Sequence, residues 1–341
     1  MESKTANMLI SNILDRAHSY EKIPYWDRGP ESIYWDITYR CNLHCKHCLN
    51  NAGDRFRHDY DQELSVDEAS KLIRQIAEIR PHNLCICGGE PLLRYDLVKQ
   101  ILRGMKQAGI PTNMVSNGWL VTDKVAKELK KSDIQSVQIS LDGLGYEHDL
   151  FREQSGAFDR AVEAIRILTN NGIMVVVSFC PNRYNFHNFE AYAGFVDSLQ
   201  CPMIRMMPLT PLGRGRQNYD ELKLTSEETY LFVQNIHRLR KKHPKMDFIW
   251  GDPLDHMTRI LLNRRTTPLT VGIFANGDIS ITAYLNYIVG NIKNHTLSEY
   301  WKSGLRHGLA HPRILDGLRN ARNLNSLTLQ NAPCYVDVKS Q

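Results

Sequence analysis

The hydrophobic and polar positions of this chain alternate between two periods from residue 33 onward. A two-residue period, typical of strands, covers residues 33–38, 83–87, 112–116, 136–141, 173–180 and 203–209. Helical periodicity begins at Ser65 and then covers roughly residues 95–108, 121–131, 157–170 and 188–199. Six successive strand–helix units predict a parallel α/β sheet with right-handed crossovers, either open or curled into a barrel.

Polar positions within the strands help to distinguish these two arrangements. A sheet covered by helices on both faces should have continuously apolar strands. Here Gln138 and Ser140 alternate with apolar residues in the fourth strand, and Arg205 does so in the sixth. A curved sheet whose concave face lines a wet, ligand-binding cavity would explain one polar face. A flat sheet with scattered polar residues is the alternative.

The pattern changes after the sixth strand. A linker rich in proline and glycine covers residues 208–215, followed by a helix at about 226–242 and a short strand at 247–250. In the remaining sequence, Asn276-Gly277 predicts a hairpin. We expect an N-terminal helical segment (1–30), a core (31–215) and a smaller C-terminal region (216–341).

Composition and charge narrow the class of protein. Hydrophobic residues make up 42% and charged residues 23%, as in globular proteins, and the net charge is +5. The densest basic run, at residues 238–242, lies at a predicted helix end, where cations complement the helix dipole. We therefore expect no nucleic-acid partner. Since the sequence has no membrane-length apolar run and no signal-peptide pattern, we expect no membrane association and a cytoplasmic location.

Three of the eight cysteines form a C-x3-C-x2-C motif directly after the first strand: Cys41, Cys45 and Cys48. Thiolates are soft ligands suited to zinc or to an iron–sulfur cluster. Both kinds of site usually have four protein ligands, so three leave one metal position open unless His44 or His47 fills it. An open iron could bind a substrate or cofactor directly, whereas a Cys3His zinc site would be structural.

A second motif, Gly88-Gly89-Glu90-Pro91, follows the second strand. Two glycines let the backbone approach a ligand closely. Glu90 places a carboxylate at the carboxyl edge of the sheet, where ligands of parallel α/β folds bind. Alone, this sequence would indicate only a turn, but its position one strand after the cysteines makes it far more specific.

Together these motifs resemble the radical S-adenosylmethionine (radical SAM) superfamily. The resemblance covers roughly residues 30–305 and continues through Ser116-Asn117-Gly118, Ser140-Leu141-Asp142-Gly143, His148 and Arg152. It implies a partial (β/α)6 barrel with a small C-terminal α+β extension. The linker at 208–215 is similar to that of the branch with a twitch or SPASM extension.

The resemblance implies one [4Fe-4S] cluster held by Cys41, Cys45 and Cys48, with SAM on the fourth iron. The residues implied to contact SAM are His47, Gly88, Gly89, Glu90, Asn117, Ser140 and Arg152. His47 would lie against the adenine, Glu90 near the methionine amino group and Arg152 near its carboxylate. An external donor such as flavodoxin or ferredoxin would supply an electron, and the resulting 5′-deoxyadenosyl radical would abstract hydrogen from the substrate.

The C-terminal region departs from the family pattern. Residues 274–282 and 290–292 are similar to a SPASM hairpin, but no cysteine occurs between Cys201 and Cys334. We interpret the region as a degenerate SPASM domain without auxiliary clusters. This favours a small polar substrate of sugar or nucleoside type in natural-product or antibiotic biosynthesis, undergoing epimerisation, dehydration or decarboxylation. The alternative is a maturase of a ribosomally made peptide; a binding module without catalysis is disfavoured by the intact Gly88-Gly89-Glu90.

Two residues are candidates for a direct role in the reaction. Cys180 ends the fifth strand and could donate a hydrogen atom to a substrate radical, or simply pack. Arg205 could bind the cofactor or an anionic substrate, or form a structural ion pair. Cys85 and Cys87 are interpreted as packing residues, because small thiols are common in cores.

Overall fold

The structure, a computed structural model, describes residues 28–54, 62–282, 284–324, 326–327 and 334–337. The predicted N-terminal helix lies outside these residues. The described strands form one eleven-stranded sheet. Its parallel part contains β1 (Ser32–Asp36), β2 (Asn83–Cys87), β3 (Thr112–Ser116), β4 (Ser136–Ser140), β5 (Met174–Phe179), β6 (Met203–Met206) and β7 (Asp247–Trp250).

The remaining strands extend the sheet beyond β1. They are β8 (Thr270–Ile273), β9 (Asp278–Ser280), β10 (Tyr287–Asn291) and β11 (Cys334–Tyr335). β8 pairs parallel with β1, β9 lies antiparallel to both β8 and β10, and β11 pairs parallel with β10. Because β7 pairs with β6, the chain beyond residue 216 contributes strands to both ends of the parallel sheet.

Helices connect the strands. They are α1 (Val66–Ile79), α2 (Tyr95–Ala108), α3 (Asp123–Lys131), α4 (Tyr146–Arg152), α5 (Ala157–Asn170), α6 (Phe189–Ser198), α7 (Arg214–Gln217), α8 (Tyr219–Leu222), α9 (Ser226–Lys242), α10 (Pro253–Leu262), α11 (Leu297–Ser303) and α12 (Pro312–Asn320). Short 3₁₀ helices cover Pro91–Arg94, Phe186–Asn188 and Leu305–Ala310. No described helix is long and apolar enough to cross a membrane.

The predicted parallel α/β fold is confirmed, and its strands have two unlike faces. In β2, Leu84 and Ile86 are 0% exposed and belong to the main core, whereas the alternate positions Cys85 and Cys87 are half-buried. This alternation matches the predicted polar face. The Tyr284 hydroxyl, after β9, lies 4.0 Å from Met207 Sδ, after β6, although six strands separate β9 from β6, so the sheet curves around a concave face. β7 and β8 lie at the two ends of the parallel part of the sheet and do not pair with each other, so the barrel is partial.

Most predicted helices and strands begin and end at or near the residues observed in the structure. The sixth strand was predicted to reach residue 209 but ends at Met206, because Pro208 cannot donate to a strand ladder. The Asn276-Gly277 hairpin is confirmed between β8 and β9. Gly277 has φ +93°, a conformation that favours glycine, and its N–H donates to the Phe274 carbonyl oxygen at 2.9 Å.

Candidate functional site

The three cysteines of the first motif lie on the loop after β1, and each sulfur accepts a hydrogen bond. The Leu43 N–H donates to Cys41 Sγ at 3.5 Å, and the Ala52 N–H donates to Cys48 Sγ at 3.3 Å. Cys45 Sγ accepts from the guanidinium of Arg152 at 3.5 Å. Such hydrogen bonds stabilise sulfur that carries negative charge, as ligands of an iron–sulfur cluster do.

The protonation of these thiols depends on a metal. Burial, together with the charges of Cys45, Glu90 and Cys48, raises the pKa of Cys41 to about 12. Burial also raises the pKa of Cys45, although Arg152 opposes this effect. Thiols with raised pKa values lose their protons when a metal binds them, so metal binding and deprotonation are coupled here.

The donor set fits a cluster better than a single ion. Among the described residues, no three His, Cys, Asp or Glu side chains converge closely enough to hold one metal ion. His44 Nδ1 lies 3.1 Å from Glu153, and the His47 ring stacks on Phe151 with centroids 4.1 Å apart. The Cys3His zinc alternative therefore has no geometric support. A four-iron cluster is larger, and its thiolate ligands bind at separate corners.

The Gly88-Gly89 turn approaches the backbone that leads into the cysteine loop. A Cβ atom on Gly89 would lie 2.1 Å from the Arg40 carbonyl oxygen, and one on Gly88 would lie 2.5 Å from that of Thr38. The Gly89 N–H donates to the Thr38 oxygen at 2.8 Å, and the Glu90 N–H donates to the Arg40 oxygen at 2.9 Å. These glycines therefore permit the two motifs to pack together. From the sequence we expected them only to let the backbone approach a ligand.

Glu90 joins this turn to the loop after β3. It is 0% exposed. Its carboxylate accepts from the Leu92 N–H at 3.1 Å, the Ser116 hydroxyl at 3.0 Å and the Asn117 N–H at 2.9 Å. Burial raises the pKa of Glu90, while these three hydrogen bonds act in the opposite direction. Its predicted contact with SAM stays a prediction, and the structure adds a role in holding two loops together.

Asn117 continues the connection to the cysteine loop. Its Nδ2 donates to Asn42 Oδ1 at 2.9 Å and lies 3.8 Å from Cys41 Sγ. The loops after β1, β2 and β3 are thus linked by hydrogen bonds at one edge of the sheet. That edge contains the cysteines, the glycine turn and Asn117, which the sequence assigned to the cofactor site.

Arg152 is held by a carboxylate to which the sequence argument gave no role. Its Nε donates to Asp142 Oδ2 at 2.8 Å, and its Nη2 also contacts that oxygen. Although burial disfavours the cation, the charge of Asp142 and the sulfur of Cys45 outweigh it and raise the pKa of Arg152. Asp142 Oδ1 accepts from the Cys180 N–H at 2.7 Å. Asp142 belongs to the quoted Ser-Leu-Asp-Gly motif, which was the available signal.

A second buried arginine, Arg214, was also missed. It is 4% exposed, and it donates from Nε to the Cys45 oxygen at 3.0 Å and from Nη2 to the Ala52 oxygen at 2.8 Å. A Cβ on Gly213 would lie 2.4 Å from the Cys48 oxygen, so glycine is required for this approach. The linker after β6 therefore packs on the cysteine loop, and two guanidinium groups lie beside it.

His47 and Ser140 take less specific places near these loops. His47 is half-buried, and its Nδ1 is buried without a hydrogen-bond partner among the described residues. Burial, and then the charges of Arg152, His148 and Arg214, lower the pKa of His47 well below its usual value. Ser140 ends β4 on the concave face, 3.5 Å from the Ser178 hydroxyl. Their predicted contacts with SAM remain predictions.

The two candidate reaction residues differ in their surroundings. Cys180 packs against a small cluster formed by Phe151, Leu209 and Leu222. Arg205 is exposed, and it forms no ion pair within the part of the chain that the structure describes. The structure thus favours packing for Cys180 and gives no support to a structural ion pair for Arg205.

The placement of Cys85 and Cys87 in the core was wrong. Leu84 and Ile86 occupy the helix-covered face of β2, so the neighbouring positions must point to the other face. The two sulfur atoms lie 3.3 Å apart on the concave side.

Comparison with known proteins agrees with this geometry. Residues 35–196 match the family model of the radical SAM superfamily. This stretch, slightly less than half of the chain, is a radical SAM domain. Members of this superfamily bind a [4Fe-4S] cluster and SAM. The degenerate character of the C-terminal region remains a proposal.

Curated relatives of this radical SAM protein have several names. Fe-coproporphyrin III synthase of Methanosarcina barkeri is 33% identical over 62% of this chain and 52% of its own length. An AdoMet-dependent heme synthase of Nitratidesulfovibrio vulgaris is 27% identical over 79% of this chain and 78% of its own. Mycofactocin maturase MftC of Mycolicibacterium smegmatis is 31% identical over 60% of this chain and 52% of its own length. The chain thus spans about half the length of two of these relatives.

Solved structures support the fold of this radical SAM protein. Streptococcus suis SuiB bound to S-adenosylmethionine matches with a TM-score of 0.69 at 14% identity, over 91% of this chain and 79% of SuiB. The structure of anSMEcpe with bound AdoMet matches with a TM-score of 0.65 at 14% identity, over 81% of this chain and 82% of anSMEcpe. At such low identity these likenesses show the fold alone.

Proposed function

We propose that this protein is an enzyme that cleaves SAM reductively and abstracts hydrogen from an organic substrate. The observation that carries the proposal is the cysteine loop, whose three thiols share one edge of the sheet with the glycine turn. When bound, the cluster and SAM supply an electron and a 5′-deoxyadenosyl radical. Reduced flavodoxin or ferredoxin is the proposed external electron source.

The chain's own residues prepare this edge of the sheet. Arg152 and Arg214 place two positive charges beside the cysteine loop, which favours thiolates over thiols. Glu90 and Asn117 hold the neighbouring loops at fixed positions, so the cofactor contacts proposed for His47, Gly88, Gly89, Glu90, Asn117, Ser140 and Arg152 are preorganised. The half-buried concave face below them is the proposed substrate cavity.

A peptide is the substrate class that we favour. MftC is named as a maturase, and SuiB has been crystallised with its precursor peptide SuiA, in a structure with a TM-score of 0.67 to this chain. The described sheet is not closed by hydrogen bonds between β7 and β8, which leaves a gap beside the concave face, as an extended substrate requires. The sugar- or nucleoside-type substrate expected from the sequence gains no support from these relatives.

A carboxylate-bearing tetrapyrrole is the second candidate. The alignment with the heme synthase of N. vulgaris covers 79% of this chain. Arg205 offers an exposed guanidinium on the concave side of β6, where it could bind a carboxylate. Arg205→Met would then weaken binding of a tetrapyrrole more than that of a neutral peptide.

The proposed function is tested by anaerobic reconstitution with iron and sulfide, followed by SAM and dithionite. We expect 5′-deoxyadenosine from the wild type and none from a variant with Cys41, Cys45 and Cys48 replaced by alanine. Iron coproporphyrin III and synthetic peptides are then compared as stimulants of 5′-deoxyadenosine formation. Absence of 5′-deoxyadenosine from the reduced, cluster-loaded wild type would contradict the proposal.

A further inference from the structure

Two thiols face each other on the concave side of the sheet, apart from the proposed cluster ligands. Cys85 and Cys87 are two residues apart on β2, and their sulfur atoms are 3.3 Å apart. Both side chains are half-buried, whereas Leu84 and Ile86 are 0% exposed in the core. The thiols therefore line the proposed substrate cavity.

Cys87 lies at the end of this cavity nearest the cysteine loop. It pairs in register with Asp36 on β1, and Asp36 Oδ2 accepts from Asn50 Nδ2 at 2.9 Å. Asn50 follows the cluster ligand Cys48 by two residues. Cys87 also directly precedes the glycine turn. A radical that forms beside the cluster and SAM would therefore arise near this sulfur.

The contact between the sulfurs shifts their two pKa values in opposite directions. The hydrogen bond from Cys87 lowers the pKa of Cys85, and the charge of Arg205 acts in the same direction. The same bond, together with burial, raises the pKa of Cys87 well above its usual value. Cys87 thus keeps its S–H bond at neutral pH, with Cys85 as the acceptor that orients it.

We propose that the S–H group of Cys87 is the hydrogen-atom donor that quenches carbon radicals in the cavity, an inference that rests on the proposed function. The S–H bond breaks, a C–H bond forms, and a thiyl radical remains on Cys87. One electron from the low-potential donor of the proposed function and one proton from water restore the thiol. Because an S–H bond is weaker than the C–H bonds of saturated carbon, the transfer is downhill.

Cys180, the donor considered from sequence, is the competing assignment. Its side chain packs against Phe151, Leu209 and Leu222 rather than a second thiol. Burial, and secondly the charge of Asp142, raise the pKa of Cys180 well above its usual value, so it also keeps its proton. Experiments must therefore separate Cys87 from Cys180.

The first experiment tests whether the pair is reachable without any cofactor. Phenylarsine oxide binds two closely spaced thiols, and the apoprotein with Cys41, Cys45 and Cys48 replaced by alanine removes the cluster thiols as competitors. We expect stoichiometric arsenical binding in this background, loss of binding on adding Cys87→Ser, and no loss on adding Cys334→Ser. Absence of binding in the background variant would overturn the inference, since the thiols would then be out of reach.

The second experiment follows the hydrogen atom itself. Reconstituted protein in D2O carries S–D groups, and reductive cleavage of SAM without substrate leaves a radical that the cavity must quench. We expect a large fraction of the wild-type 5′-deoxyadenosine to carry one deuterium at C5′. Cys87→Ser should remove most of this label, while Cys180→Ser and Cys334→Ser should retain it.

The outcomes separate the inference from the proposed function. Unlabelled 5′-deoxyadenosine from the wild type, label retained in Cys87→Ser, or label lost in Cys180→Ser would each overturn the assignment of Cys87 alone. A complete absence of 5′-deoxyadenosine would overturn the proposed function and this inference with it.

Discussion

The carboxylate of Glu90 accepts a hydrogen bond from the backbone N–H of Asn117 at 2.9 Å. Ser116 and Leu92 donate to the same carboxylate, so one buried side chain joins the ends of β2 and β3. Asn117 in turn donates to Asn42 in the cysteine loop. A change at Glu90 should therefore affect both the fold of this edge and the binding of SAM.

Glu90→Gln is the substitution that tests this connection. Glutamine offers one acceptor oxygen instead of two, and its amide donors would face the N–H of Leu92 or Asn117. We expect the free energy of unfolding to fall by about 1–3 kcal/mol, since a buried donor loses its acceptor. We also expect weaker SAM binding with unchanged iron content. Thermal unfolding, equilibrium SAM binding and iron analysis measure the three effects.

Glu153→Gln is the matched control for this prediction. Glu153 is exposed at the end of α4 and contacts His44, so the same chemical change there should leave stability and SAM binding nearly unchanged. Equal dissociation constants and unfolding temperatures for wild type and Glu90→Gln would show that the buried network has no such role.

The cysteine loop predicts the metal content directly. We expect about four irons per chain after reconstitution and almost none when Cys41, Cys45 and Cys48 are replaced by alanine, because these thiols are the proposed ligands. Cys334→Ser should retain the wild-type content. Iron and sulfide analysis decides the matter. About eight irons in the wild type, or iron retained in the triple variant, is incompatible with a single cluster at this loop.

Arg214→Ala should loosen the cysteine loop. The guanidinium donates to the carbonyl oxygens of Cys45 and Ala52, and the side chain is 4% exposed. Leaving both acceptors without a donor should cost about 1–3 kcal/mol of unfolding free energy. A chelator should remove the cluster from Arg214→Ala faster than from the wild type. The decay of visible absorbance measures this rate. Arg216→Ala, at an exposed position two residues away, should behave as wild type. Equal rates of cluster loss in Arg214→Ala and Arg216→Ala would show that Arg214 does not stabilise the cysteine loop.

Local periodicity located most elements, because helices and strands depend on neighbouring residues. The helix predicted at 157–170 is observed as Ala157–Asn170. Spacing likewise identified the cysteine loop. Arg214, however, contacts Cys45 across 169 positions of sequence, and no local pattern contains that information.

The error at Cys85 and Cys87 has a different cause. Alternation within β2 was visible in the sequence, and it would have placed both thiols opposite Ile86. The tendency of small thiols to be buried was given more weight than the two-residue period. In a sheet that helices cover on one face only, the two-residue period decides which side chains enter the core, because a strand cannot point neighbouring side chains to the same face.

The last prediction concerns the oxidation level of the product. No cysteine occurs between Cys201 and Cys334, and Cys334 alone on β11 cannot hold a second cluster. On the proposal that the C-terminal region holds no auxiliary cluster, an electron released by a substrate radical has no second acceptor there. The radical must be quenched by a hydrogen donor, lose a leaving group, or return its electron to the first cluster. We expect the first two outcomes, with substrate and product at one oxidation level. Product mass is measured alongside 5′-deoxyadenosine, without added oxidant. A product lighter by two hydrogens, formed in equal amount with 5′-deoxyadenosine, would show that the missing cluster does not prevent oxidation.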